Sequence, residues 1–355
     1  MKKNEKNSIV IIGDFAEGEP SYSGQTAKVR DYDYYIRNRF SNKTVIKIDT
    51  RYWKCNIFKV LFSVVSNCKK CRCVVLLLCG DGMSIRTLFP LMIHLKKCYE
   101  FPIYFSVVGG GILQELETNK KLLKQLSYVD YIYVETKKLL SELKAKGITK
   151  IKQAPVFSKR PTLSPDSLQK NFKEPIRLCT YSRVTKEKGI TDAIEAVIEV
   201  NKYYQNNKCV LDIYGKPTDN YKDEFEELLD SSDGGAINQP LLTDENAIQE
   251  LSNHYLMLFP TYYPGEGFPI ALIECFKAGL PVVANDWHFN SEIISNNETG
   301  IIYQRDSEKL SEILIRLLED KDFVYEMRKK CLAESQRYDP DYILSDLYER
   351  ISGLW

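Results

Sequence analysis

The chain has 355 residues, 44% of them hydrophobic, and its 49 basic side chains nearly balance its 48 acidic ones, for a formal net charge of +1. That length is more than one ordinary core holds and suits two domains, and the charge balance excludes a global electrostatic case for nucleic acid. No apolar run reaches the length of a membrane span, and the polar start M-K-K-N-E-K-N-S leads into an apolar stretch, Ile9–Ile12, too short for a signal peptide, so a cytoplasmic protein is expected.

Strand and helix patterns alternate from the first apolar stretch onward. Continuous apolar runs at Ile9–Ile12, Thr44–Ile48, Cys73–Leu78, Ile103–Val108 and Tyr131–Val134 predict buried parallel strands, with helices between them that include Thr26–Phe40 and Leu122–Tyr128. After Phe157 the pattern breaks into S-K-R-P-T-L-S-P-D-S, whose prolines and serines predict a linker. Alternation resumes with strands at Ile176–Tyr181, Val210–Tyr214, Leu256–Phe259 and Pro281–Ala284, and helices at Gly189–Gln205 and Asp219–Leu229. The expected architecture is α/β, with two Rossmann-like domains facing a central cleft. One covers 1–165 and the other 166–337, and an amphipathic C-terminal helix of about 338–355 folds back onto the first. Ligands of such sheets bind at the carboxyl ends of the strands. The second domain's tips, Tyr181-Ser182-Arg183, Tyr214-Gly215-Lys216, Pro260-Thr261-Tyr262 and Asn285-Asp286-Trp287, would then face the cleft.

The ten cysteines lie mostly in apolar surroundings and are expected to be reduced thiols. Cys68, Cys71 and Cys73 cluster at the Lys-rich end of a predicted helix, but a zinc site would need a second group of ligands, so no metal is expected. Of the three histidines, His94 on an apolar helix and His254 before a buried strand are expected to pack, and His288 lies just past a strand end. The stretch Arg51–Cys73 carries aromatic, apolar and basic residues and no acid. Its apolar face could lie on the sheet like that of any Rossmann-type helix, or at an anionic membrane surface.

Phe259 to Glu274, F-P-T-Y-Y-P-G-E-G-F-P-I-A-L-I-E, combines the end of a buried strand, a glycine-rich loop and a helix start. Gly265 and Gly267 leave room for a ligand to approach the backbone, and Pro269 suits the first helical position. Such a segment offers free N–H groups and the positive end of a helix dipole to an anion. Glu266 and Glu274, which bracket the helix start, could hold hydroxyls. Phosphate beside hydroxyls suggests a sugar nucleotide. In Tyr181–Ile190, Y-S-R-V-T-K-E-K-G-I, Arg183 and Lys188 lie across one loop. Alone this is a solvated basic loop or a diphosphate clamp, and the 259–274 segment favours the clamp.

With A-G-L-P-V-V-A and E-T-G-I-I-Y following in order, these motifs resemble glycosyltransferase family 4, retaining nucleotide-sugar enzymes of the GT-B fold. The likeness is close over roughly residues 176–335. The P-T-Y-Y-P-G-E-G-F-P form is similar to that of enzymes of bacterial capsular and exopolysaccharide assembly. The resemblance implies that Arg183 and Lys188 contact the donor diphosphate and that Glu266 sits by the transferred sugar. It also implies that the backbone of Gly267 and Phe268 holds sugar and phosphates, that Glu274 bonds the ribose, and that Gly24 meets the phosphate from the first domain. Gly215 and Pro269 belong to the same donor-binding set. It further implies a UDP- or GDP-sugar donor, no metal, and a saccharide or lipid-linked saccharide acceptor.

Glu274 could also be an exposed helix glutamate, and Phe268 a core residue. The family's usual histidine after a middle strand of the first domain is absent. V-V-G-G-G-I-L-Q-E stands there instead, making Gly110, Gly111 and Glu115 the candidate acceptor contacts, with a plain tight turn as the alternative. The G-x-G-x-x-G fingerprint of a dehydrogenase is missing after the first strand. A sugar-nucleotide 2-epimerase of similar architecture would need a histidine and several carboxylates in the cleft. A non-catalytic nucleotide-sugar sensor would be expected to lack Glu266 or Arg183, and both are present.

Overall fold

The computed structural model describes residues 6–18, 23–51, 55–79 and 82–355, with 82–84 described by backbone alone. Tyr52–Lys54, part of the Arg51–Cys73 stretch singled out above, lie outside the described residues. The chain divides into two compact units, Met1–Ser158 with Asp339–Trp355, and Lys159–Tyr338.

The first unit runs β1 (Ser8–Gly13), α1 (Gly24–Arg39), β2 (Thr44–Asp49), α2 (Ile57–Cys68), β3 (Cys71–Cys79), α3 (Gly82–Tyr99), β4 (Ile103–Val108), α4 (Ile112–Thr118), α5 (Lys120–Leu126), β5 (Tyr131–Val134), α6 (Lys137–Ala145) and β6 (Ile151–Gln153). Its strands form a parallel sheet in the order β2-β1-β3-β4-β5-β6. β1 is buried along its whole length and β3 almost so, which is why both read as unbroken apolar runs rather than alternating ones. α1 starts where the Ser23 hydroxyl accepts from Thr26 N at 3.1 Å.

The second unit runs β7 (Ile176–Tyr181), α7 (Ile190–Tyr204), β8 (Cys209–Tyr214), α8 (Lys222–Ser231), β9 (Ala236–Gln239), α9 (Ala247–Ser252), β10 (Leu256–Phe259), α10 (Ile270–Lys277), β11 (Val282–Asn285), α11 (Asn290–Ile293), β12 (Gly300–Tyr303), α12 (Leu310–Glu319) and α13 (Lys321–Ser335). Its parallel sheet has the order β12-β11-β10-β7-β8-β9. The core packs Leu178, Leu211, Leu258 and Val283 of the strands against Ile194, Val197, Leu314 and Leu317 of α7 and α12.

α14 (Pro340–Ser352) then returns to the first unit. Asp339 caps it by accepting from Tyr342 N at 3.0 Å, and Ile343, Leu344, Leu347 and Ile351 are buried. Tyr133 donates to Asp346 Oδ2 at 2.7 Å, and the Arg350 guanidinium lies 3.4 Å from the Tyr131 ring centroid.

Several expectations need correction. The segment after Ser158 belongs to the second unit from Lys159 on, because Leu163 N donates to Lys277 O at 2.8 Å and Arg160 pairs with Glu274. Three further short strands, β6, β9 and β12, were not expected; β6 (I-K-Q) and β9 (A-I-N-Q) are too polar to stand out as apolar runs. Of the Cys cluster, Cys68 ends α2 but Cys71 and Cys73 lie in β3, and all three are buried. His94 does not pack: it is exposed, with Cys98 Sγ 3.7 Å from its Nε2. His254 does pack, fully buried between Asp212 Oδ2 and Glu250 O, each 3.0 Å away.

Candidate functional site

In the second sheet β7 and β10 are neighbours, yet β7 leads outward to β8 on one side and β10 to β11 on the other. Connections leaving two adjacent strands in opposite directions open a crevice at their carboxyl ends, the usual ligand position of doubly wound sheets. The β7–α7 and β10–α10 loops meet there. Tyr262 N donates to Glu187 O at 2.8 Å. Gly189 has φ of +72°, and a Cβ on it would lie 2.3 Å from Pro260 O, so only glycine permits this approach. Gly215, at the tip of β8, is equally crowded: a Cβ there would lie 1.9 Å from Ser182 O.

These loops bring Lys188 and Glu266 together. Lys188 Nζ donates to Glu266 Oε2 at 2.5 Å, with both side chains about nine-tenths buried. Thr261, fully buried, donates its hydroxyl to the same oxygen at 2.8 Å. Burial pushes the Lys188 ammonium below its ordinary value, although Glu266 pulls it up. Arg183, 78 residues before Thr261 in the chain by its number, is exposed beside this pair. Its guanidinium carbon lies 5.1 Å from the Tyr263 ring centroid, and Lys188 Nζ lies at the same distance from that ring. Among the described residues no carboxylate pairs with Arg183. The cluster thus holds two cations and one carboxylate around an aromatic ring, an excess of one positive charge.

α10 begins just beyond. Pro269 is its N-cap rather than its first helical residue, with φ of −70° and ψ of 120°, and Leu272 N bonds back to Pro269 O at 3.1 Å. First-turn N–H groups have no intrahelical acceptor, so the loop Gly267–Pro269 delivers the positive end of α10 beside Glu266. Phe268 is half-buried, its ring centroid 5.9 Å from that of Tyr338. Gly265 has a reason other than ligand approach, because the Tyr263 ring lies over it and a Cβ would come within 2.8 Å of Cε1.

Glu274 is not an exposed helix glutamate. It is buried and receives Arg160 Nη1, while the same guanidinium donates to the Tyr181 hydroxyl and to Asp244 Oδ1, both at 2.8 Å. Lys277, one turn on, donates to Arg160 O at 2.7 Å. Burial raises the Tyr181 hydroxyl above its ordinary value, and Glu274 raises it further.

The first unit's candidates are placed separately. Gly24 is the first residue of α1. In the Gly109–Gly111 run only Gly109 has positive φ, +77°, so the turn demands glycine there, whereas Gly111 caps α4 at φ −69°, open to any residue. Glu115 is buried and held by a two-pronged Arg86 contact at 2.9 Å from both Nε and Nη2, with Asn119 Nδ2 at 3.3 Å. Lys28, on α1, is buried too, donating to Val107 O at 2.8 Å and to Glu135 Oε1 at 2.7 Å.

Sequence reasoning passed over Arg160, Thr261, Tyr263 and the Lys28–Glu135 pair. Thr261 and Tyr263 stood inside a motif already singled out, so their position was the available signal. Arg160 stood in a stretch whose composition reads as linker, and Lys28 pairs across 107 residues of chain, a separation no local pattern reveals. Among the described residues no three His, Cys, Asp or Glu side chains converge as a metal site requires.

Residues 165–337, just under half of the chain, match the family described as glycosyl transferases group 1. The chain is 26% identical over 207 residues to the GtfA subunit of a UDP-N-acetylglucosamine–peptide N-acetylglucosaminyltransferase of Streptococcus parasanguinis, an alignment covering 58% of this chain and 39% of that protein. It is 26% identical over 183 residues to the N,N'-diacetylbacillosaminyl-diphospho-undecaprenol alpha-1,3-N-acetylgalactosaminyltransferase of Campylobacter jejuni, covering 50% of this chain and 46% of that one. The chain therefore spans less than half the length of these two curated relatives. Among solved structures, Anabaena HepE (Alr3699) in complex with UDP and glucose superposes with a TM-score of 0.71 at 14% identity, covering 98% of this chain and 99% of that one. That likeness establishes the fold, the two-domain Rossmann-like α/β fold called GT-B. Residues 165–337 within it are similar to the glycosyl transferases group 1, and the curated relatives include an amylovoran biosynthesis glycosyltransferase of Erwinia amylovora.

Proposed function

We propose that this protein is a retaining glycosyltransferase of family 4. It moves a hexose-type sugar from a UDP- or GDP-sugar to a saccharide acceptor, one carried on a lipid, in cell-surface polysaccharide assembly. The observation that carries this is the buried Lys188–Glu266 pair beside an exposed Arg183 that has no carboxylate partner among the described residues, at the carboxyl edge of β7 and β10 and next to the start of α10. A diphosphate fits the charge excess, since Arg183 offers a planar fork and Lys188 a point charge. Glu266, oriented by Thr261, fits sugar hydroxyls. The ligands bound to HepE, UDP and glucose, are of this chemical class, and the Campylobacter relative's name gives a diphospho-undecaprenol acceptor.

Breaking the anomeric C–O bond leaves the electron pair on the diphosphate and an oxocarbenium-like sugar. In this reading Arg183, Lys188 and the α10 N-terminus hold the growing negative charge, a service worth a few kcal/mol per preorganised donor. Glu266 faces the sugar as the positive charge develops, and the acceptor hydroxyl attacks from the face the diphosphate leaves, passing its proton to the departing diphosphate oxygen. Charge stabilisation is assigned to these side chains and not to a metal, so turnover should survive chelation of divalent ions. Glu274, already buried beside Arg160, is assigned to the ribose.

Calorimetric titration with UDP, GDP and dTDP, followed by turnover with the matching sugar nucleotides, tests this. At least one nucleoside diphosphate should bind. Arg183→Ala should weaken it by about 2 kcal/mol, roughly thirtyfold in Kd. Glu266→Gln should leave nucleotide affinity nearly unchanged and lower kcat by about a hundredfold. Absence of binding by all three nucleotides, or wild-type turnover in both variants, would overturn the proposal.

A further inference from the structure

α2 is apolar on both of its faces. Val60, Val64 and Cys68 turn inward and are 7%, 1% and 0% exposed, as a helix packed on a sheet requires. Phe58 and Phe62 point the other way and are 87% and 76% exposed. Helical spacing places them in one row with the half-buried Val65 and then Lys69. Nothing in the packing of the unit asks for two phenylalanines in water.

The charge around this row is of one sign. Residues 50–80 contain no acid and six basic side chains. Lys59 stands next to Phe58, and Lys69 and Lys70 are exposed at the far end of the helix. Among the described residues neither Lys59 nor Lys70 has an acidic partner. On the N-terminal side of α2, Asp49 accepts from the backbone N–H groups of Phe15 and Arg51 at 3.0 and 2.8 Å, and Asp14 pairs with Arg51 at 3.0 Å.

We infer that this outer face of α2 docks on a lipid bilayer bearing anionic headgroups. A bilayer supplies both complements at once, an apolar layer for Phe58 and Phe62 and negative charge for Lys59, Lys69 and Lys70. A second copy of the chain would set those lysines against their own equivalents across a two-fold interface. α2 follows β2, so its first turns, which carry Phe58 and Phe62, lie at the carboxyl edge of the first sheet. That is the edge that also carries Gly24, Gly109–Gly111 and the Arg86–Glu115 pair. Docking goes beyond the activity proposed above and does not depend on it.

The test is co-sedimentation of the full chain with vesicles of phosphatidylcholine alone and with vesicles containing about one-third phosphatidylglycerol. The chain should bind the second kind, release it at high salt, and ignore the first. Phe58→Ser/Phe62→Ser should lower the partition coefficient by about tenfold or more, and Lys59→Glu/Lys70→Glu should do the same at low salt. Tyr342→Ser, which removes a side chain 76% exposed on α14 of the same unit, should change nothing. Thermal melts of the variants should match the wild type, because every altered side chain is exposed. Equal sedimentation with both vesicle types, or wild-type binding by the phenylalanine pair, overturns the inference. So does a dimer in sedimentation velocity that the same pair dissolves. Nucleotide titration of the same samples tells this outcome apart from failure of the proposed activity.

Discussion

Gly189 and Gly234 share a left-handed backbone, with φ of +72° and +79°, but not a neighbourhood. Around Gly234 a Cβ would meet nothing within 4 Å, whereas at Gly189 it would run into the Pro260 carbonyl at 2.3 Å. Alanine at Gly234 therefore pays only the conformational cost, about 1 kcal/mol. Alanine at Gly189 adds overpacking against backbone that cannot swing away, for a total of about 3 kcal/mol. Denaturant unfolding of the two variants separates these terms, and equal losses would mean that the β7–α7 and β10–α10 loops yield freely. Because Lys188 precedes Gly189 and donates to Glu266, the same substitution should weaken nucleoside diphosphate binding while Gly234→Ala leaves it unchanged. The glycine thus acts through its neighbour: it sets how closely a cation on one strand tip approaches a carboxylate on the next.

At the scale of elements, α10 is tied to the segment before β7 by Arg160, whose guanidinium meets Glu274, Tyr181 and Asp244 at once. Glu274 is 3% and Arg160 12% exposed at the side chain, so removing the arginine takes the paired cation from a buried carboxylate. Arg160→Ala should cost about 3 kcal/mol by denaturant unfolding. Arg160→Ala/Glu274→Ala should cost clearly less than the sum of the single changes, and additive losses would deny the coupling. This tie marks where the sequence stopped being informative. Apolar strands such as β1 and β3 announced themselves because parallel strands buried on both faces leave continuous runs. That Arg183, Lys188 and Glu266 lie together could be anticipated because glycines and a proline punctuate both loops and the motifs, taken in order, resemble those of a known family. Arg160 was not, since prolines and serines beside it describe a chain in solvent whether or not the segment then lies against a domain. Lys28 was not, because a lysine within a helix is ordinarily solvated and only its distant partners, Val107 and Glu135, make it a buried cation. Local chemistry writes itself into spacing, and long-range pairing does not.

For the whole molecule the consequence of topology is that the first unit is not a continuous piece of chain. It is completed by α14, which arrives only after the entire second unit has been made. That helix buries Leu344, Leu347 and Ile351 at 1%, 1% and 0% exposure, covers β5 through the Tyr133–Asp346 bond and the Arg350–Tyr131 stack, and sets Tyr348 edge-on to Phe40 of the first unit. Truncating a buried leucine or isoleucine costs about 2 to 5 kcal/mol, so these three side chains together are comparable to the roughly 5–15 kcal/mol by which a domain is ordinarily stable. A chain ended at Tyr338 should therefore lose the first unit and keep the second, whose sheet and core lie wholly within Lys159–Tyr338. Hydrogen exchange read by mass spectrometry resolves this strand by strand. In the shortened chain the amides of β1 to β5 should exchange as in an unfolded polypeptide while those of β7, β8 and β10 keep their protection. Leu347→Ala in the full chain should show the same pattern in milder form, a loss of about 3 kcal/mol confined to the first sheet. Native protection of β1 to β5 without α14 would show that the first unit closes its core on its own, and that the returning helix is packed on it rather than part of it.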